Sequence, residues 1–215
     1  MTLNKRMAAL SLLVLVGGFL IYKVYFVSSA VSADNRNTEN NAASYKVLES
    51  QNIIVGKDID PGYYDIKALD SEAEVGSDKM HKNTVLHAEP FHMNGNFSIK
   101  GKMEFRPSEF EKLENKDQKI IIKNPGHYVV GTEIQAGNYV LSRTNDKIRV
   151  FVDIKDETET ESLQTIQWEI DEKVKKPIEV ELKNGYIIYI DKTGKDGYIS
   201  NESDLLLERN NEDSE

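Results

Sequence analysis

The sequence predicts an all-β protein, with two tandem small antiparallel β-sandwich or barrel modules after an N-terminal apolar helix. Three observations carry this. Apolar and polar residues alternate over short runs, Gly, Asn and Asp turns separate those runs, and a stretch of the first half nearly recurs in the second. Val55 to Ile66 reads VGKDIDPGYYDI, and Val130 to Leu141 reads VGTEIQAGNYVL.

The N-terminus is organised differently from the rest. Lys5 and Arg6 precede an uncharged apolar run from Met7 to Tyr22, and small residues follow up to Ala33. A short basic start, a long apolar stretch and small residues make an export signal over 1–33. With Lys23 snorkelling to the interface, Met7 to Val27 reaches the length a bilayer needs. The expectation is therefore an uncleaved single-pass anchor in the cell membrane, with Lys5 and Arg6 inside and everything after the run outside. Secretion after cleavage near Ala33, at Val31-Ser32-Ala33, is the alternative.

Residues 34–45 contain DNRNTENNAAS and read as a polar linker. The first β module is expected over 46–126, the second over 127–207, and an acidic tail over 208–215. In the first copy of the repeat, Asp60-Pro61-Gly62 suits a tight turn, and Tyr64 and Ile66 then alternate as in a strand. Gln135-Ala136-Gly137 takes the same place in the second copy. The shared framework is Val55, Gly56, Asp58, Ile59, Gly62 and Tyr64 in one copy, and Val130, Gly131, Glu133, Ile134, Gly137 and Tyr139 in the other. Ile59 and Ile134 are expected to plug a core from one side of the turn while Tyr64 and Tyr139 pack from the other.

Downstream, Ile148, Val150, Val152 and Ile154 alternate with Arg149, Phe151 and Asp153; two further runs, Ile166 to Ile170 and Ile178 to Leu182, do the same. In the first half Phe97, Ile99, Met103 and Phe105 give a weaker version. Lys116 to Ile122, KDQKIII, matches Lys183 to Tyr189, KNGYIIY, which predicts equivalent closing strands. Only Pro107 to Asn115 is expected to start a short helix. A single sandwich built from two half-repeats is the alternative to two modules.

The pattern Val-Gly-x-Asp-Ile-x-x-Gly-x-Tyr resembles a short repeat of exported and surface proteins of Gram-positive bacteria. There the motif opens a small all-β module and a later strand, here Asn184-Gly185-Tyr186-Ile187, closes it. The second copy matches over Tyr128 to Ile190, and the first departs where Asp117-Gln118-Lys119 replaces Asn-Gly-Tyr. The resemblance implies no catalytic residues.

Composition narrows the function. Removing the +3 of Lys5, Arg6 and Lys23 from the net charge of −9 leaves −12 on the outer part, which disfavours nucleic acid and anionic lipid as ligands. The chain has no cysteine, so it folds without disulfides. Asp191 to Lys195, DKTGK, looks like the phosphorylated aspartate motif of cation pumps, but it follows a strand and has the composition of a hairpin turn. His81, His87 and His92 are spaced by six and five residues, which fits neither helix nor strand metal ligation, and with His127 they read as exposed histidines. Asp58, Asp60, Asp191 and Asp196 are calcium candidates on turns. No Gly-x-Ser-x-Gly elbow occurs. Among seven tyrosines near the turns, Tyr64 and Tyr139 are expected in the core and Tyr63 and Tyr198 at the surface, where they would serve an interface.

The resulting expectation is a membrane-tethered, extracytoplasmic, non-catalytic binding or structural module of the cell envelope. No residue is assigned to catalysis, cofactor or metal. Its partners are the membrane, through the N-terminal helix, and an envelope protein or glycan. A secreted hydrolase or metal-dependent domain is the alternative.

Overall fold

The computed structural model describes residues 36, 38–156, 161–172 and 178–210, so the apolar run and residues 211–215 lie outside the described residues. Fifteen strands and no helix occur among the described residues. The first half holds β1 (Lys46–Ile54), β2 (Gly62–Ala68), β3 (Ala73–Val75), β4 (Asp78–Met80), β5 (Val85–Phe91) and β6 (Asn96–Pro107). The second holds β7 (Asn115–Lys116), β8 (Lys119–Ile122), β9 (Gly126–Val129), β10 (Gly137–Arg143), β11 (Arg149–Asp156), β12 (Ser162–Trp168), β13 (Ile178–Leu182), β14 (Tyr186–Thr193) and β15 (Leu205–Arg209).

Strand pairing repeats between the halves. The antiparallel pairs β1·β6, β2·β5, β3·β6 and β3·β4 recur as β9·β14, β10·β13, β11·β14 and β11·β12. The C-terminal part of β6 pairs β2 as β15 pairs β10, with Ile66 opposite Phe105 and Leu141 opposite Leu207. In the first half this is one long strand, bent at Gly101 (φ 75°), whereas the second half interposes residues 194–204 between β14 and β15.

Two sheets result. A ten-stranded sheet runs β12-β11-β14-β9-β5-β2-β6-β3-β4 with β1 also on β6, and a five-stranded sheet runs β13-β10-β15-β8-β7. Alternation decides which side chains meet. Val150, Val152 and Ile154 of β11 and Ile188 and Ile190 of β14 turn inward with Trp168, Tyr139, Leu205 and Leu207 to form the second core, that of the second half. The first core gathers Ile53, Ile59, Tyr64, Ile66, Met103 and Phe105 in the first half. Burying a side chain of this size contributes roughly 1.5 to 3 kcal/mol.

The repeated turn has the same hydrogen bonds in both copies. Gly56 and Gly131 stand at φ 90° and 99° and donate to the carbonyls of Ile59 (2.6 Å) and Ile134 (2.7 Å). Tyr64 and Tyr139 reach back through their hydroxyls to the carbonyls of Asp60 (2.9 Å) and Gln135 (2.7 Å), while their rings are fully buried. Asp58 accepts from the Ile54 amide and Glu133 from the Val129 amide, each four residues back.

The structure corrects several expectations. Lys116 to Ile122 does not close the first half. It forms a hairpin with Asp117 (φ 53°) and Gln118 (φ 63°) both left-handed, and Ile120 and Ile122 enter the second core. The counterpart of Asn184-Gly185-Tyr186 is Met93-Asn94-Gly95. Val55 donates to the Gly95 carbonyl as Val130 donates to Tyr186, and Asn94 donates to Val55 as Gly185 donates to Val130. Residues 115–126, expected in the first module, therefore pack with the second core or lead into it. Pro107 to Asn115 does not start a helix: Pro107 ends β6, Asn115 opens β7, and residues 108–114 between them are irregular, with Ser108 held by Asp65 (2.7 Å) and the Phe110 ring meeting Tyr63 edge-on at 5.6 Å. Tyr63 is buried, 1% exposed, in a small cluster with Ala88, Phe110 and Val129. Within the polar linker, Asn41 and Ser44 hydrogen-bond to Tyr63 and Tyr64, so this stretch lies against the first half rather than standing free of it. Glu208 and Arg209, expected in the tail, belong to β15.

Lys192 of β14 is fully buried, and its ammonium donates to the carbonyls of Ile122 (2.9 Å) and Lys123 (2.8 Å). Burial pulls its pKa down to about 8, against the pull of Asp204. It lies within the DKTGK stretch and joins the ten-stranded sheet to the end of β8.

Along the strand order of the large sheet the halves join at the parallel pairing of His87 on β5 with Gly126 on β9, and a parallel bridge of Met80 with Ile199 links them again. A Cβ on Gly126 would lie 2.0 Å from the His87 carbonyl oxygen, and the glycine has φ 127°. Gly126→Ala is expected to lower stability by roughly 2 kcal/mol or more, through a backbone clash added to an unfavourable φ. Gly185→Ala meets open space at φ 88° and is expected to cost only about 1 kcal/mol. Urea unfolding midpoints of the two variants check the order.

Candidate functional site

Two polar constellations lie where the halves meet. The first is largely buried, with Asp65 at its partly exposed edge. His87 sits between Asp65 of β2 and Glu133 of the second repeated turn, with Nδ1 2.9 Å from Asp65 Oδ1 and Nε2 2.6 Å from Glu133 Oε1. The ring stacks on Tyr128 at 4.5 Å, and the Tyr128 hydroxyl is engaged by the Asn124 carbonyl. Glu133 is 1% exposed and His87 8%. Ala88, next along β5, takes φ 51° and donates its amide to Asp65 Oδ1, which also accepts from the Ser108 hydroxyl.

Burial alone would pull the His87 pKa down, but hydrogen bonds to Asp65 and Glu133 more than reverse this and raise it to about 9. Burial likewise pushes Asp65 up, and the His87 hydrogen bond and charge, with the Ala88 and Ser108 donors, bring it below the usual carboxylate value. The group is an imidazolium held by two carboxylates. Both ring nitrogens carry protons directed at carboxylates, so neither can accept a proton from a nucleophile. The clasp is structural rather than an acid–base triad.

The repeat explains its origin. Asp58 of the first copy accepts from the Ile54 amide and is partly exposed, whereas Glu133 uses Oε2 for the equivalent amide and extends Oε1 to His87. The Asp-to-Glu difference between copies is the only sequence signal for this contact. A second histidine reinforces the junction. His81 stacks on Tyr198 at 4.3 Å and pairs with Asp196 at 2.7 Å, beside a bridge between Met80 and Ile199.

The second constellation is open. Side chains that alternate away from the second core line a cleft of about 490 Å³ on the outer face of the large sheet. Asp153 of β11 is opposite Tyr189 of β14, and Tyr189 is opposite His127 of β9, so three adjacent strands set one residue each in a row. Glu89 of β5, Lys155, Asp156, Ile187 and Arg36 complete the lining. His127 lies 3.5 Å from Glu89 and packs its ring 4.8 Å from Tyr189. Lys155 holds Asp153 Oδ2 at 3.0 Å, while Asp153 Oδ1 and His127 Nδ1 are buried without a hydrogen-bond partner. Burial, then the charges of Asp191, Glu89 and Asp78, push the Tyr189 phenol up, so it stays protonated as a donor.

The calcium candidates do not come together. Asp58 caps a backbone amide, Asp60 accepts from Ser44, Asp196 pairs His81, and Asp191 lies 3.6 Å from Arg149. Among the described residues no three His, Asp or Glu side chains are grouped to hold a metal ion. His92 is exposed, and Tyr198 is half-buried under His81.

Comparison of the chain with protein-family models, with curated proteins and with solved structures gives no match.

The clasp predicts a pH dependence whose sign follows from the raised histidine. His87 takes up its proton more tightly folded (about 9) than unfolded (6.5). Its contribution, on the order of 3 kcal/mol, is therefore complete below about pH 6.5 and lost as pH rises through about 9. Lys192 works in the opposite sense, gaining stability from about pH 8 to 10.5. Urea midpoints of wild type minus those of Glu133→Gln cancel the lysine, and this difference is expected to shrink from pH 6.5 to 9. A difference that stays constant over that range overturns the imidazolium assignment.

Proposed function

We propose that this chain is a membrane-tethered, extracytoplasmic binding module of the cell envelope, built as two tandem small β modules, and that it acts without catalysis. The observation that carries the binding reading is the cleft across β11, β14, β9 and β5. It combines an aromatic ring, a histidine, three carboxylates and two cations on one open sheet face. Clefts with few convergent polar groups and a titratable residue of shifted pKa are where ligands bind.

The modular reading rests on the recurrent strand pairing and on the two separate cores. The tether rests on the sequence alone, on Lys5, Arg6 and the apolar run Met7 to Tyr22. The resemblance of the repeated turn to surface proteins of Gram-positive bacteria favours the same location. The hydrolase alternative draws only on the Glu89–His127 pair, which at 3.5 Å has no serine or threonine among the residues lining the cleft.

Two measurements test this. In native cells the chain is expected at full-length mass in the membrane fraction and digestible by protease added outside; a mass beginning at Asp34 in the medium overturns the tether. The full-length protein is expected to be retained on isolated envelope material, and Tyr189→Ala, which removes the half-buried ring at the centre of the row, is expected to weaken retention by about tenfold. Equal retention of variant and wild type overturns the cleft as the binding site.

A further inference from the structure

The rim of a β-sheet presents a row of unpaired backbone N–H and C=O groups, which proteins blunt with charge, brevity, bulges or cover. This chain does so at most of its rims. β4 is three residues long, and Ile199 of the second half covers it, bridging Met80 and donating its amide to the Lys79 carbonyl at 2.7 Å. β1 carries Lys46 and Glu49 and shifts register after Glu49. β13 carries Glu179 and Glu181, both exposed, and β7 has two residues.

β12 is the exception. It ends the ten-stranded sheet, and among the described residues it pairs only with β11. Its seven residues, SLQTIQW, include no charge, proline or glycine, and Leu163 is 53% exposed. The strand is the second-half counterpart of β4, since β3·β4 recurs as β11·β12. The edge that takes a backbone donor from the other half in one module is therefore longer and, among the described residues, uncovered in the other.

Composition also selects the partner. Thr165 is the midpoint of β12. A two-fold axis there lays Ser162–Trp168 antiparallel on the same strand of another copy, with Thr165 against Thr165, Leu163 against Gln167 and Gln164 against Ile166. About seven backbone hydrogen bonds form, and no charge meets its like. The same operation on β13 would set Glu179 against Glu181. We propose that two copies of this chain pair through β12 as a two-fold dimer. A self-complementary contact of this kind occupies both edges and closes.

The dimer has a consequence for the cleft. Thr165 stands opposite Asp153, so it continues the row of Asp153, Tyr189 and His127 across the sheet. Both clefts then share one sheet face, with the two Tyr189 rings five strand steps, about 24 Å, apart. A polymer long enough to span that gap engages both clefts and is held more firmly than by either alone. This consequence rests on the reading of the cleft as the binding site, whereas the dimer itself does not.

The test is sedimentation equilibrium of the full-length protein in density-matched detergent. Wild type is expected to dimerise in the micromolar range, as suits a short strand-to-strand contact. Thr165→Lys and Thr165→Glu, at an exposed position, are each expected to weaken the dimer by at least about tenfold, and their equimolar mixture is expected to recover it. Near-ultraviolet circular dichroism checks the fold. Should either variant fail to fold, Thr165→Cys gives this cysteine-free chain a single thiol, which is expected to form a disulfide-linked dimer on oxidation with copper-phenanthroline, while Lys82→Cys, exposed in the first half, is not. A wild type that stays monomeric at about 100 μM, charged variants that dimerise as wild type does, a mixture no tighter than its components, or equal cross-linking at both thiols overturns the proposal. Envelope retention is measured separately, so loss of the dimer leaves the binding module standing.

Discussion

The arrangement of the two halves depends on a positive charge buried between two negative ones. His87, Asp65 and Glu133 come from two strands and a turn, and none is expected inside a protein alone. Each is tolerated because the others are present. Removing either carboxylate leaves a buried imidazolium short of a partner, and removing the ring leaves two carboxylates facing each other. The same histidine supplies the backbone against which Gly126 must close. Side-chain charge and main-chain packing thus constrain one point from two directions, and the continuous sheet from β12 to β4 passes through it.

Much of the local structure was legible in the sequence. The turn shared by Val55–Tyr64 and Val130–Tyr139 could be read because its requirements are local: glycine at a left-handed position, an isoleucine plug and a tyrosine reaching back four residues. The alternation in β11 to β13 could be read because one face of each strand is packed and the other is not. The closing strand of the first half was misread. KDQKIII looks like KNGYIIY in composition, but the bond pattern of the true counterpart needs only a residue tolerant of positive φ. Asn94 serves as well as Gly185. Composition matched the wrong segment where geometry was conserved in another.

The sites were less legible for a physical reason. Asp65 and Glu133 approach His87 from far along the chain, and the cleft row of Asp153, Tyr189 and His127 exists only after three strands pair in register. Residues that look like ordinary solvent-facing positions of alternating strands become neighbours across a sheet. Tyr63, expected at the surface, is covered by Phe110 and Arg36, and the sequence around Pro107 gives no sign that it folds back to do this. The acidic excess of the sequence is also visible in the cleft, where Glu89, Asp153 and Asp156 stand with Arg36 and Lys155.

The glycine at the junction also bears on how copies of this chain behave at high concentration. By the alignment of the repeated turns, Gln51 occupies in β1 the place that Gly126 holds in β9, and β1 lies at the rim of the large sheet. A second molecule presenting a strand there in the manner of β5 would meet a side chain where the internal joint has none. The joint is therefore usable once, within the chain. A duplicated fold with adhesive, repeating ends is prone to run on into fibres, and a one-residue difference between otherwise parallel halves gives this one a stopping point.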